Sequence, residues 1–147
     1  MKKIGSSWRF HPLVLLPLLL IYIADIHYLH KIVTQSRVPD NWVNYFTIAE
    51  WAQQNTEPQA VVACRKPVLF YLYSNRRTVL YKFTEDSALV LEDLKQNKVN
   101  YVVLDRLGYG STARYLVPVV MKYKDEFSLV RKLENPPTWL LEFHPSD

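Results

Sequence analysis

Residues 13–24 read LVLLPLLLIYIA, twelve apolar or nearly apolar positions behind a start that carries Lys2, Lys3 and Arg9. A run of this kind is either a secretory leader or a membrane anchor. A leader needs a small-x-small cleavage site beyond its apolar core, whereas Ala24 is followed by Asp25, His27, Tyr28 and His30. A helix over residues 12–30 would extend roughly 28 Å at 1.5 Å per residue, about the thickness of the hydrocarbon core. The expectation is an uncleaved transmembrane helix over residues 12–30, behind a short N-terminal stretch of residues 1–11. Pro12 suits a first helical turn, and Pro17 removes a backbone donor and should kink the helix. A charge at the bilayer centre costs a few kcal/mol, which places Asp25 and His27 at headgroup depth beside Tyr22 and Tyr28; a helix–helix contact or a proton site is the alternative. Three cations precede the segment and Lys31 and Arg37 follow it, an asymmetry that puts the N-terminus in the cytoplasm and the remainder outside.

Residues 31–39 form a short polar linker, and residues 40–147 are long enough for one hydrophobic core and too short for two. Half of the chain is apolar (49%) and only three residues are Gly, which excludes a disordered or low-complexity tail. The net charge of +4 is too small, and too evenly divided between the first thirty residues and the rest, to indicate a nucleic-acid partner. The single Cys64 excludes an intramolecular disulfide and a cysteine-based metal cluster. There is no HExxH, G-x-S-x-G or Cys/His metal spacing, so neither a metal nor a cofactor is expected.

Within residues 40–147, Asp40 is placed to cap a helix beginning near Trp42, in which Tyr45, Ile48, Ala49 and Ala52 share one face at i, i+3, i+4 and i+7. Residues 60–64 (AVVAC) are continuously apolar with a β-branched middle, the pattern of a short strand buried on both faces. The spacing predicts a short helix over residues 68–73, a second strand over 77–83, and a helix over 85–97 capped by Thr84 with Val90, Leu91 and Leu94 facing inward. A third buried strand follows at 101–104. After the turn Gly108-Tyr109-Gly110-Ser111-Thr112, another helix carries Leu116, Val119, Val120 and Tyr123 on one face, with Pro118 beginning or interrupting it. Residues 129–133 and 138–143 read as a hairpin around Asn135-Pro136-Pro137. Strands alternating with helices predict a small α/β domain with a mostly parallel sheet, flanking helices and the hairpin as an antiparallel edge.

The chemistry-bearing residues are few. Between Glu57 and Glu85 there is no acid, but Arg65, Lys66, Arg76, Arg77 and Lys82 are present. Arg65 and Lys66 directly follow a strand, and ligands of parallel α/β sheets collect at the carboxyl ends of strands. Arg65, Lys66, Arg76 and Arg77 are therefore the candidates for binding a phosphate or an anionic lipid headgroup, because Arg offers a planar fork and Lys a point charge; the competing reading is a solvated basic rim. The Gly108–Thr112 stretch has the form of a phosphate-cradling turn, yet it lacks the Lys of a P-loop and the third Gly of a dinucleotide fingerprint, so an ordinary strand-to-helix turn is preferred. Cys64 beside two cations could be an activated thiol; without a His nearby in sequence it reads better as a buried strand-end residue. Asp105, at the end of a strand, is the one acid worth keeping as a weak catalytic candidate.

Several segments together carry a resemblance: residues 45–51 with Gln54-Asn55-Thr56, the stretches AVVACRKP (60–67) and FYLYSNR (70–76), NYVVLD (100–105), RYLVP (114–118) and LENPPT (133–138). Over roughly residues 40–145 the chain resembles the extracytoplasmic tail of bacterial polyprenyl-phosphate-sugar-dependent membrane glycosyltransferases, enzymes similar to the dolichyl-phosphate-mannose protein mannosyltransferases. In that family a many-helix membrane part holds the catalytic acid and the carrier cavity. This chain has one hydrophobic segment and no such part. The resemblance therefore implies an accessory, non-catalytic domain at the bacterial inner membrane, a stand-alone subunit or one piece of a split transferase, whose partners are membrane lipid, a multi-helix glycosyltransferase subunit or the polyprenyl-phosphate carrier. Arg65, Lys66 and Arg76 fall where the family pattern is basic. The alternatives are a membrane-tethered binding or sensing module unrelated to sugar transfer and, less well supported, a small enzyme using Cys64 or Asp105.

Overall fold

The computed structural model describes residues 12–35 and 37–146, with side chains for 17, 19–31 and 37–146. The chain divides into two units, residues 1–37 and 38–147. The first contains one helix, α1 (Pro12–Gln35), with Pro17 inside it. Its described apolar side chains, Leu19, Leu20, Ile21, Ile23, Ile26 and Leu29 among them, are exposed. Among the described residues no helix is long and apolar enough to cross a membrane, so the expected transmembrane helix is not found there; the side chains of residues 13–16 and 18, which carry much of the apolar run, lie outside the described ones, as do residues 1–11.

The second unit follows the order α2 (Asp40–Asn55), β1 (Val61–Ala63), α3 (Pro67–Ser74), β2 (Arg77–Val79), α4 (Ser87–Gln96), β3 (Tyr101–Leu104), a π-helical turn (Thr112–Leu116) continuing into α5 (Val117–Lys122), then β4 (Phe127–Leu133) and β5 (Thr138–Phe143). The strands form one sheet ordered β2-β1-β3-β5-β4. β1 pairs in parallel with β2 and β3, whereas β5 runs antiparallel to both β3 and β4. The sheet is thus mixed, which corrects the mostly parallel sheet expected from the sequence. The reason lies in the C-terminal hairpin: it supplies two of the five strands and docks through β5 on β3, so antiparallel pairings equal the parallel ones in number, and its strands of seven and six residues are longer than the three- or four-residue parallel strands. The hairpin does not sit wholly at the edge either, because β5 lies inside, against β3.

Alternation along the strands sorts side chains between two cores. Val61, Ala63, Val102, Leu104, Leu141 and Phe143 point to one face, where Val90, Leu91 and Leu94 of α4 and Leu116 and Val119 cover them. Val62, Cys64, Val103 and Leu140 point to the other, against Tyr45, Ile48, Ala49 and Ala52 of α2 and Phe70 of α3. The result is a three-layer α/β/α sandwich. Val62, Val102 and Val103 are fully buried, as their continuous apolar runs predict.

Two helix starts differ from expectation. Pro39 stands at the N-cap of α2 and Asp40 is already inside the helix. The carboxylate of Asp86, not the hydroxyl of Thr84, caps α4 by accepting from the Ala88 N–H at 2.9 Å, while Thr84 Oγ1 accepts from the Asp86 N–H one step earlier. Both caps are local side-chain to backbone bonds of equal chemical merit, so periodicity alone did not choose between them. β2 is also shorter than the 77–83 run predicted, and Pro118 falls where the π-helical turn passes into α5, interrupting the regular helix as one of the two expected outcomes had it.

Candidate functional site

β1 and β3 run side by side in parallel, so their carboxyl ends open on the same edge of the sheet. There they deliver Cys64-Arg65-Lys66 and Asp105-Arg106-Leu107. A cleft of about 560 Å³ lies at this edge, lined by Asp105, Gly108, Tyr109, Thr112 and Val117, with Pro137 and Trp139 contributed by the hairpin.

The turn after β3 shapes this edge. Gly108 and Gly110 have φ of +88° and +69°, and a Cβ at either position would meet nothing within 4 Å. The demand for glycine is therefore one of backbone conformation rather than space. The two left-handed residues bracket Tyr109, which is left half-exposed and projects beside the cations from β1. The Arg65 guanidinium lies 5.0 Å from the ring centroid of Phe83 and 4.9 Å from that of Tyr109, and the Lys66 ammonium is 4.3 Å from Tyr109. Two aromatic rings thus hold one cation and a third group joins from the same strand end, contacts favoured by the ring quadrupole. The Nε of Arg65 is buried and has no hydrogen-bond partner among the described residues; an orphaned, charged donor at a strand end is a cost that a bound anion would remove.

Behind the rings sits a polar chain. Asp105, 8% exposed, accepts from the Leu107 N–H at 3.1 Å and from the Thr112 hydroxyl at 3.0 Å. Thr112 Oγ1 in turn lies 3.0 Å from the Tyr81 hydroxyl. No cation approaches Asp105 closely enough to form an ion pair among the described residues. Burial pushes its carboxyl above the ordinary carboxylate value, against the opposing pull of the Leu107 and Thr112 hydrogen bonds and of the Arg65 charge. Burial likewise raises Tyr81. A carboxyl raised by the fold holds its proton better folded than unfolded, so its contribution to stability is full below the ordinary value and is lost as pH rises through the raised one. Asp105→Asn keeps an acceptor for Leu107 and offers an amide N–H to Thr112. It should leave the domain at least as stable as the native protein at pH 7 and remove this part of the pH dependence, which thermal unfolding from pH 4 to 7 will show as a gap between the two proteins that widens with pH.

Cys64 and Tyr45 form a second, dry network. The Tyr45 hydroxyl donates to the Lys66 carbonyl at 3.1 Å and accepts from the Lys66 N–H at 3.2 Å, fixing the residue that follows β1. Cys64 is fully buried, and burial pushes its thiol up to about 12. A neutral, inaccessible thiol is a packing residue, in line with the preferred reading of the sequence.

The structure separates the four basic candidates. Arg65 and Lys66 meet on the ring of Tyr109, which borders the cleft, and neither of them lines it. Arg76 is buried elsewhere: its Nε donates to Thr56 Oγ1 at 3.1 Å, and its two terminal nitrogens donate to the carbonyls of Gln53, Thr56, Ser74 and Asn75. It ties the C-terminal end of α2 to that of α3 and has no donor left for a ligand. Arg77 is exposed at the start of the edge strand β2. The residues that sequence reasoning missed are Phe83, Tyr81 and Trp139, which carry no local signal; Tyr109 and Thr112 belong to the Gly108–Thr112 turn, whose sequence has the form of a phosphate cradle and reads as an ordinary turn.

No family model matches the chain, and no curated protein matches it. Among solved structures it is similar to the crystal structure of the C-terminal globular domain of an oligosaccharyltransferase from Archaeoglobus fulgidus, with 11% identity and a TM-score of 0.46 over 73% of this chain and 99% of that one. At that level no residue role is transferred.

Proposed function

We propose that residues 38–147 form a recognition domain that binds the phosphate of a polyprenyl-phosphate-linked sugar at Arg65 and Lys66, beyond the carboxyl end of β1, and assists transfer without catalysing it. The observation that carries the reading is the Arg65 guanidinium held between Phe83 and Tyr109 with its buried Nε unpartnered, and Lys66 beside it. Such a pair offers a phosphate one fork and one point charge. The sequence resemblance over residues 40–145 supplies the carrier chemistry, and the apolar segment within residues 12–35 supplies a bilayer anchor, with the N-terminus inside and the domain outside. Asp105 does not act as a transfer base in this reading: its carboxylate is engaged by Leu107 and Thr112, and its role is to position the turn.

The full-length chain in detergent should bind a short polyprenyl phosphate and fail to bind the corresponding alcohol. Arg65→Gln and Lys66→Gln should each weaken binding about tenfold to a hundredfold, the value of one charge-assisted contact, while Arg77→Gln should leave it unchanged. Unaltered affinity in both the Arg65 and the Lys66 variant, or equal binding of phosphate and alcohol, would overturn the proposal. Equal affinity for inorganic phosphate and the prenyl phosphate would make the domain a phosphate-binding module unrelated to the carrier.

A further inference from the structure

The cleft beyond β3 holds neither Arg65 nor Lys66, and its lining has a chemistry of its own. Alternation along β5 sends Trp139 to the same face as Leu141 and Phe143, the face covered by α4 and α5. Leu141 and Phe143 are buried there. Trp139, opposite Leu104 at the last pair of the β3–β5 ladder, lies where that cover ends and is 37% exposed. Its indole is one wall of the cleft, and the ring of Tyr109, from the turn after β3, is another. Lys132, which pairs with Trp139 across the hairpin, holds its Nζ 5.8 Å from the indole centroid and bonds to Glu134 at 2.6 Å, so the indole is braced by its own hairpin.

The rest of the lining is mixed. Arg106 is exposed, and its guanidinium makes no hydrogen bond or ion pair among the described residues. Gly108 and Gly110 contribute backbone alone, which lets a ligand come close to the peptide groups. Asp105 is the one acid of the lining and Arg106 the one cation. The two charges offset each other inside the cleft, while Arg65 and Lys66 gather positive charge on the ring of Tyr109 just outside it. A prenyl chain in the cleft would strip water from Arg106 and from the glycine peptide groups and return no hydrogen bond. A pyranose ring suits both kinds of wall: its C–H faces lie against aromatic rings, and its hydroxyls give partners to a guanidinium and to backbone groups. The volume of about 560 Å³ lies within the range of small-molecule pockets, ~300–1,000 Å³.

We infer that the cleft holds the sugar of a sugar phosphate, with the ring against Trp139 and its hydroxyls on Arg106, and that Tyr109 is the wall shared with the phosphate at Arg65 and Lys66. The inference rests on the phosphate reading of those two cations and adds the sugar to it.

The test titrates the full-length chain in detergent with inorganic phosphate, geranyl phosphate and the 1-phosphates of glucose, mannose and N-acetylglucosamine, reading affinity by calorimetry. At least one sugar 1-phosphate should bind about tenfold tighter than inorganic phosphate. Trp139→Ala and Arg106→Gln should each bring it down to within about threefold of inorganic phosphate, whose own affinity should not change, and Arg65→Gln should weaken both ligands. Trp139→Phe, which keeps a ring, should recover part of the gain. Arg106 is exposed, so its variant reports on the site even where Trp139→Ala unfolds. Inorganic phosphate bound through Arg65, with no sugar 1-phosphate bound more tightly, would overturn the inference and leave the phosphate reading standing. No binding of any phosphate would overturn the phosphate reading and the sugar with it. If Trp139→Ala weakened geranyl phosphate as much as the sugar 1-phosphate, the cleft would hold the prenyl chain; if Arg106→Gln weakened inorganic phosphate, Arg106 would belong to the phosphate site. Either result would overturn the inference.

Discussion

Replacing Val102 by Asp should unfold the domain or cost it about 4 kcal/mol. Val102 is fully buried in β3, in register with Ala63 of β1 on one side and Leu141 of β5 on the other, and it faces the core formed with α4 and α5. A carboxylate there has no partner. It must either remain charged in an apolar layer or take up a proton, and both are costly. A domain of this size has on the order of 5–15 kcal/mol of stability to lose, so the midpoint of chemical denaturation should fall sharply or vanish. Leu129→Asp is the matched control. Leu129 is opposite Leu141 in β4 but 59% exposed, and the same chemical change there should stay within about 0.5 kcal/mol. Equal stability of Val102→Asp and the native protein would contradict the placement of β3 at the centre of the sheet.

Arg76→Ala should destabilise the domain by about 3 kcal/mol, lowering the thermal midpoint by on the order of 15 °C. The guanidinium satisfies carbonyls at the ends of two helices, groups that have no partner within their own helices, and the 7% exposure of Arg76 leaves little room for water to replace it. Arg76→Lys should recover only part of the loss, since one ammonium cannot reach carbonyls on both helices in the way a planar fork does. In conditions where the variant is still folded, its affinity for a prenyl phosphate should equal that of the native protein. Thermal unfolding and a binding titration on the same sample separate the two roles; a stable Arg76→Ala protein that has lost phosphate binding would return Arg76 to the site.

The contrast between Arg65 and Arg76 shows how far a local pattern reaches. Both are cations in an acid-free stretch, both lie at the end of a short element, and in sequence they are equivalent. Their fates differ because α2 happens to end beside α3, offering Arg76 a set of carbonyls, whereas Arg65 comes out where β1 and β3 end together beside Phe83 and Tyr109. That difference is one of long-range packing. Phe83 is eighteen residues and Tyr109 forty-four residues from Arg65, and no spacing rule links them.

What the sequence determined by itself were the properties set by neighbours a few residues away. The buried strands at 60–64 and 101–104, the inward faces of α2 and α4, the α/β alternation and the inertness of Cys64 all follow from hydrophobic periodicity and from the burial of continuous apolar runs. The tertiary structure alone decided that β5 and not β4 joins β3, and hence that the sheet is evenly mixed: the hairpin signal sets β5 antiparallel to β4, but no local pattern says which of the two strands lies inside. It also decided which side chains surround the one buried acid at the strand ends, because Asp105, Thr112 and Tyr81 are joined by hydrogen bonds across thirty-one residues of chain. Such contacts depend on where separate elements end once both faces of the sheet have been covered, and that is a property of the packed whole.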